Sequence, residues 1–284
     1  MDNVCIIIGA PRSGTNMLRE VLTKFDGVHT WPCDEINYIW RYGNASFPSD
    51  QLQPEHATDR AKKYIRNQFQ KIRIKTGASM VVEKTCANSL RVPFVKEVCP
   101  NAKYIFIVRD GLDVVGSASI RWKAKPEYSY LLKKVRYVPA LDLPYYASRY
   151  FLNHLTRVFS KTKELAFWGP STIEMGIWLK KYSIQEVCAL QWKACVEYAD
   201  KALQQIEPNN IHRVSYESFV TNPLQETQRL AEFLDSETTT EVDRFVNETI
   251  NNSSVGKGRE RLTTDQILQL REHIGGTLER FGYE

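Results

Sequence analysis

Five consecutive strand-forming residues, Val4-Cys5-Ile6-Ile7-Ile8, run into Gly9-Ala10-Pro11-Arg12-Ser13-Gly14-Thr15-Asn16. Apolar residues then recur at helical spacing as Met17, Leu18, Val21, Leu22 and Phe25. A continuous apolar run of this length reads as a strand buried on both faces, the condition of an interior parallel strand. A loop that leaves such a strand and opens a helix gathers successive backbone N–H groups at one spot, where the helix dipole adds partial positive charge. Gly14 lets backbone approach an anion with no Cβ in the way. Arg12 adds a planar donor fork, and Ser13 and Thr15 add hydroxyl donors. The opening unit is therefore a candidate anion site, the alternative being a tight strand-to-helix turn with no ligand.

Gly9 and Gly14 have the spacing of a Walker A loop, GxxxxGK[ST], but Thr15 stands where its Lys belongs and Asn16 where its Ser/Thr belongs. The cation for the outer phosphates and the hydroxyl for Mg²⁺ are both missing from their places, which argues against an ATPase or kinase.

Further units repeat the alternation. Met80–Val82 reads as a short strand, Leu90–Val98 as a helix, Lys103–Val108 as a strand, Asp110–Trp122 as a helix and Ile211–Ser215 as a strand. Leu224–Leu234 and Asp265–Phe281 read as helices, the last weakened by Gly275-Gly276. The pattern predicts an α/β fold, a parallel sheet flanked by helices with ligands at the C-terminal strand ends. No linker or repeat divides the 284 residues, so one domain over 1–284 is expected. The aromatic, basic stretch 123–185 is expected to be a mainly helical insertion over the acceptor side of the site.

Charge and cysteine usage exclude more than they assign. The net charge of +5 suits an anionic ligand. No run of basic residues suggests nucleic acid, and Lys71–Lys75 reads as a solvated helix face. Cys5, Cys33, Cys86, Cys99, Cys188 and Cys195 show no metal-ligand spacing and are expected as free thiols. The first residues carry no signal-peptide pattern and no stretch reaches membrane length, so a cytoplasmic protein is expected.

Two more elements look suited to phosphate. Arg109 stands at the end of the Lys103–Val108 strand and Ser117 about two turns into the following helix, so both can reach one phosphate, although Asp110 or Asp113 could instead pair with Arg109. In Ser253-Ser254-Val255-Gly256-Lys257-Gly258-Arg259, two glycines bracket a lysine with an arginine beyond, which suits a loop closing over a phosphate, the alternative being a flexible linker.

Pro11-Arg12-Ser13-Gly14-Thr15 resembles the 5′-phosphosulfate loop of the sulfotransferases that use 3′-phosphoadenosine 5′-phosphosulfate (PAPS). Its arginine is the form found in the tyrosylprotein sulfotransferases and many bacterial members. Glu83-Lys84-Thr85, Arg109-Asp110-Gly111 with Ser117, Tyr216-Glu217 and the 253–259 loop follow in the family's order. The resemblance implies the P-loop sulfotransferase fold, with PAPS as co-substrate, PAP as product and no metal. It implies that Pro11, Arg12, Ser13, Gly14, Thr15 and Asn16 hold the phosphosulfate. Arg109, Ser117, Ser254, Val255, Gly256, Lys257, Gly258 and Arg259 would hold the 3′-phosphate, and Tyr216 would lie by the adenine. Arg12 and Lys84 would stabilise charge on the bridging oxygen, and Glu35 would act as base, with Asp34 and His29 as rivals.

The partner implied is a hydroxyl-bearing acceptor, by family analogy a glycan or peptide tyrosine; Trp31, Trp40, Tyr42, Trp122, Tyr128, Tyr130, Trp168 and Trp178 are candidates to stack on its ring, the alternative for most of them being the core. The alternatives are an ATP-dependent small-molecule kinase with a degenerate loop and a non-catalytic PAP-binding module.

Overall fold

In the computed structural model, residues 3–123, 137–139, 142, 143, 145 and 168–284 are described. Five parallel strands form one sheet: Val4–Ile8 (β1), Val28–His29 (β2), Met80–Lys84 (β3), Lys103–Val108 (β4) and Ile211–Ser215 (β5), in the order β2-β3-β1-β4-β5. The helices are Thr15–Leu22 (α1), Asn37–Trp40 (α2), Asp59–Thr76 (α3), Val92–Val98 (α4), Gly111–Lys123 (α5), Met175–Lys181 (α6), Ile184–Leu203 (α7), Tyr216–Thr221 (α8), Pro223–Phe233 (α9), Thr240–Thr249 (α10) and Thr264–Arg280 (α11).

Both sheet faces are buried, which is why the strands read as unbroken apolar runs. Ile6, Ile8, Tyr104 and Phe106 point into one core with Trp40, Phe69, Phe94, Trp192 and Ile274. Cys5, Ile7, Ile105 and Ile107 point into the other with Leu18, Leu22, Phe219, Leu230 and Val246. Each fully buried large apolar side chain contributes roughly 1.5–3 kcal/mol.

β1 is central, with β3 on one side and β4 on the other, so the chain's course reverses across it. That switch point is where ligands bind in open α/β sheets. Ile7 pairs with Lys84, Ile8 with Phe106 and Val108 with Ser215. This register brings the segments after β1, β3, β4 and β5 out at the same end.

The sequence-based boundaries shift in informative ways. β3 continues through the charged pair Glu83-Lys84 because both side chains are buried. The helix expected from Leu90 begins at Val92, after a 3₁₀ turn over Cys86–Leu90. Gly275-Gly276 does not interrupt α11, whose start is closed by a Thr263–Gln266 capping box and whose Leu270, Ile274 and Leu278 are buried. β2, α7 and α10 carry no signal read from the sequence, and of α3 only the face over Lys71–Lys75 does. Lys71, Arg73 and Lys75 lie on the exposed side of α3. Of the expected insertion, 168–183 are described throughout and contain α6, whereas most of 124–167 lies outside the described residues.

All six cysteines are buried thiols with no disulfide between them. No helix among the described residues is long and apolar enough to cross a membrane.

Candidate active site

The loop after β1 is wound tightly. Arg12 has φ of 69° and Gly14 φ of 86°, both in the left-handed region, which is uncommon for a residue with a Cβ such as Arg12. Gly14 has no substitute: a Cβ there would stand 2.5 Å from Tyr216 Cδ2. α1 begins with no side-chain cap and no acidic residue in its first turn, so its N–H groups and dipole are not neutralised from within the helix.

The loop after β4 meets it. Arg12 Nε donates to Ser117 Oγ at 2.9 Å, and Arg109 donates from Nη1 to the Arg12 carbonyl at 3.3 Å. Arg109 also donates to Asp113 Oδ2 at 3.1 Å and to the Ser254 carbonyl, and its guanidinium stacks on Tyr216 with Cζ 4.2 Å from the ring centre. Trp192 of α7 fixes the Arg109 carbonyl at 3.2 Å. Partial burial lowers the pKa of Arg12, and the charges of Arg121, Arg109 and Arg261 lower it further. These three cations make the charge on Arg12 costly, and an anion beside Arg12 offsets that cost. Arg12, Asn16, Arg109, Tyr216, Phe245 and Ser254 line a pocket of about 400 Å³.

A second charged group lies at the end of β3. Lys84 Nζ is 3.1 Å from Glu35 Oε1, which also accepts the Cys86 amide at 3.3 Å. Burial is the largest influence and opposes the lysine's charge, but the charge and hydrogen bond of Glu35, with Cys86 and Asp34, together outweigh it and the pKa of Lys84 is raised. The Cys86 thiol stands 3.7 Å from Thr15 Oγ1 and so links this pair to the loop. Burial and then the Glu35 charge push that thiol up to about 12, too high for a nucleophile at neutral pH.

The segment carrying Glu35 is anchored from several directions. Ile36 N donates to Thr85 Oγ1 at 3.1 Å, Arg19 donates to the Cys33 carbonyl at 2.9 Å, and Arg91 donates to Asn37 Oδ1 at 2.6 Å. Behind them Glu83 accepts from Thr85 and from Asn88 Nδ2 at 2.8 Å.

A family model described as the sulfotransferase family matches residues 5–163 and 153–240. The chain belongs to the sulfotransferase family. Solved sulfotransferases share its fold. The sulfotransferase domain from the curacin biosynthetic pathway superposes with a TM-score of 0.57 at 14% identity, covering 100% of this chain and 99% of that one. STF9 from Mycobacterium avium gives 0.56 at 13%, covering 99% and 77%. The sulfotransferase domain of the Synechococcus PCC 7002 olefin synthase gives 0.54 at 12%, covering 96% and 94%. No curated protein matches by sequence.

With the sulfotransferase frame in place, the expected site residues fall into groups. Arg12, Gly14, Thr15, Asn16, Arg109, Tyr216 and Ser254 border the pocket, and Ser117 is joined to Arg12. Pro11 and Ser13 are buried within the loop, and Ser13 Oγ and Arg109 Nε have no hydrogen-bond partner among the described residues. Gly256, Gly258 and Arg259 turn their amides to Asp113. Val255 and Lys257 are exposed, and the Arg259 side chain donates to the Glu284 carbonyl, away from the pocket wall. Glu35 and Lys84 pair beside the loop.

Trp31, Trp40 and Trp122 are packed in the core, Trp31 and Trp40 against Phe69, so they offer no acceptor surface. Tyr128 and Tyr130 lie outside the described residues. Sequence reading missed Asp113 as a hub, Phe245 on the unanticipated α10, and Asn88 and Arg91. The four-residue spacing of Arg109 and Asp113 was the available signal for the first. Among the described residues no group of His, Cys, Asp and Glu side chains is placed to hold a metal.

Proposed function

We propose that this sulfotransferase moves the sulfuryl group of PAPS to an acceptor hydroxyl. The observation that carries the reading is the joining of two strand-end loops into one hydrogen-bonded unit, through Arg12 to Ser117 and Arg109 to the Arg12 carbonyl, on a single pocket. The fit is supported by a buried Arg109 Nε and Ser13 Oγ that have no hydrogen-bond partner among the described residues.

In this reading the 9–16 loop and the start of α1 hold the 5′-phosphosulfate, Arg109 and Ser117 hold the 3′-phosphate, and Tyr216 offers its ring to the base. Glu35 takes the acceptor proton as the oxygen attacks sulfur. The S–O bond to the phosphate breaks, and its electron pair stays on the bridging oxygen of PAP. Arg12 and Lys84 stabilise that growing negative charge, the term that dominates transfers of this kind. The acceptor is a hydroxyl compound, a glycan or a phenol such as peptide tyrosine.

The test is transfer of radiolabelled sulfate from PAPS to a panel of glycans, phenols and tyrosine peptides. Arg12→Ala and Glu35→Gln serve as controls, and ATP with Mg²⁺ is run in parallel. Labelled product that both substitutions suppress supports the reading. Phosphoryl transfer from ATP, or PAP binding without turnover on any acceptor, contradicts it.

A further inference from the structure

Asp113 lies in the first turn of α5 and is 1% exposed. Both carboxylate oxygens are fully used. Oδ1 accepts the amides of Gly258 and Arg259, each at 2.9 Å; Oδ2 accepts the Gly256 amide at 2.8 Å and a hydrogen bond from Arg109 Nη2 at 3.1 Å. The backbone of this loop is pressed onto α5. A Cβ at Gly116 would stand 1.9 Å from the Gly258 carbonyl oxygen, and one at Gly258 would stand 2.0 Å from the Asp113 carbonyl oxygen. Two glycines and one carboxylate thus form a matched seat for the loop.

The sign of the charge makes this seat informative. A carboxylate beside an anion pocket repels the anion, and Coulomb energy alone would favour its removal. Its position instead orders the cations and backbone around it. It holds the Arg109 guanidinium between the Arg12 carbonyl and the Ser254 carbonyl, and it fixes the loop that carries Ser254 to the pocket wall.

We propose that Asp113 is a positioning residue that makes the pocket selective for a nucleotide bearing a 3′-phosphate, by orienting Arg109 and seating the 254–259 loop. This rests on the PAPS reading above and goes beyond it in naming what sets the selectivity.

Calorimetric titration with PAP and with AMP, which lacks the 3′-phosphate, tests it on the wild-type chain, Asp113→Asn and Gly258→Ala. If the wild type does not prefer PAP to AMP, the PAPS reading itself fails, whatever Asp113 does. If it does, Asp113→Asn is expected to weaken PAP roughly 10- to 100-fold, the scale of losing hydrogen bonds to a charged group, while AMP changes by less than about threefold. Unchanged or tighter PAP binding, as bare electrostatics predicts, overturns the proposal, and so does an equal loss for both nucleotides. Gly258→Ala keeps the carboxylate but lifts the loop from it, so it is expected to show the same selective loss even if Asp113→Asn does not fold. An unchanged PAP-to-AMP ratio in Gly258→Ala counts against the proposal.

Discussion

Thr85 Oγ1 accepts the Ile36 amide at 3.1 Å and donates onward to the buried Glu83 carboxylate, so the end of β3 holds the segment that carries Glu35. The neighbouring side chain, Lys84, meets Glu35 directly. One strand end therefore fixes both the backbone beside the proposed base and its counter-charge. Thr85→Val removes the hydroxyl at nearly constant volume and leaves the Ile36 amide unpaired. It is expected to lower kcat by ~10- to 100-fold, the scale of a displacement of about 1 Å in a reacting group, with the KM for PAPS within about threefold. Thr85→Ser, which keeps the hydroxyl, is expected to recover most of the rate. Sulfate-transfer kinetics on the acceptor found in the panel check this, and equal rates for the Val and Ser variants would contradict it.

Arg12 is held by Ser117 through Nε, which leaves the outer edge of its guanidinium for the ligand. Arg12→Ala is expected to reduce kcat/KM by roughly 10²- to 10³-fold, the usual cost of one oriented charge-stabilising donor. Arg12→Lys keeps the charge but has no Nε donor and no planar fork, so it is expected to restore only part of the loss. Steady-state kinetics of the two variants decide, and a lysine variant equal to wild type would mean that charge alone matters.

Gly14→Ala combines a positive φ with a Cβ driven into the Tyr216 ring. The expected cost is ~2 kcal/mol or more of stability, with weaker PAP binding because the loop and Tyr216 move together. Thermal unfolding and PAP titration measure both. A variant with wild-type Tm and affinity would show that the loop is looser than its geometry implies.

Burial pushes Glu83 from 4.5 up to about 7, against the lowering effect of its bond from Thr85. An acid whose pKa is raised on folding holds its proton more firmly in the folded state. Stability is then greatest below pH 4.5 and falls as pH rises towards about 7, by at most ~3 kcal/mol from this group. Glu83→Gln has no such proton and is expected to flatten the difference between denaturation at pH 5 and at pH 8. It also loses one bond to Asn88, so the slope with pH, not the absolute stability, is the reading. An unchanged slope would mean that Glu83 is ionised throughout.

Much of the fold was legible because the physics was local. A strand buried on both faces is an unbroken apolar run, as in Val4–Ile8 and Lys103–Val108, and a loop that ends such a strand and opens a helix announces itself through Gly14 and Arg12. What escaped notice depended on distant parts of the chain. β2 is two residues long and exists only because Val28 and His29 pair with β3. The strand read from Met80 to Val82 runs on through Glu83 and Lys84 because both are buried, Lys84 against Glu35, which lies 49 positions away in sequence. Asp113 looked like a partner for Arg109 and proved also to seat a loop some 145 positions away in sequence.

The central claim is that Arg12 and Arg109 hold the two ends of one nucleotide, and a crystal structure with PAP tests it most directly. The 5′-phosphate is predicted on the Arg12–Asn16 amides at the start of α1, with the 3′-phosphate between Arg109 and Ser117 and the adenine beside Tyr216. PAP bound elsewhere, or bound with its two phosphates exchanged between these arginines, would contradict it.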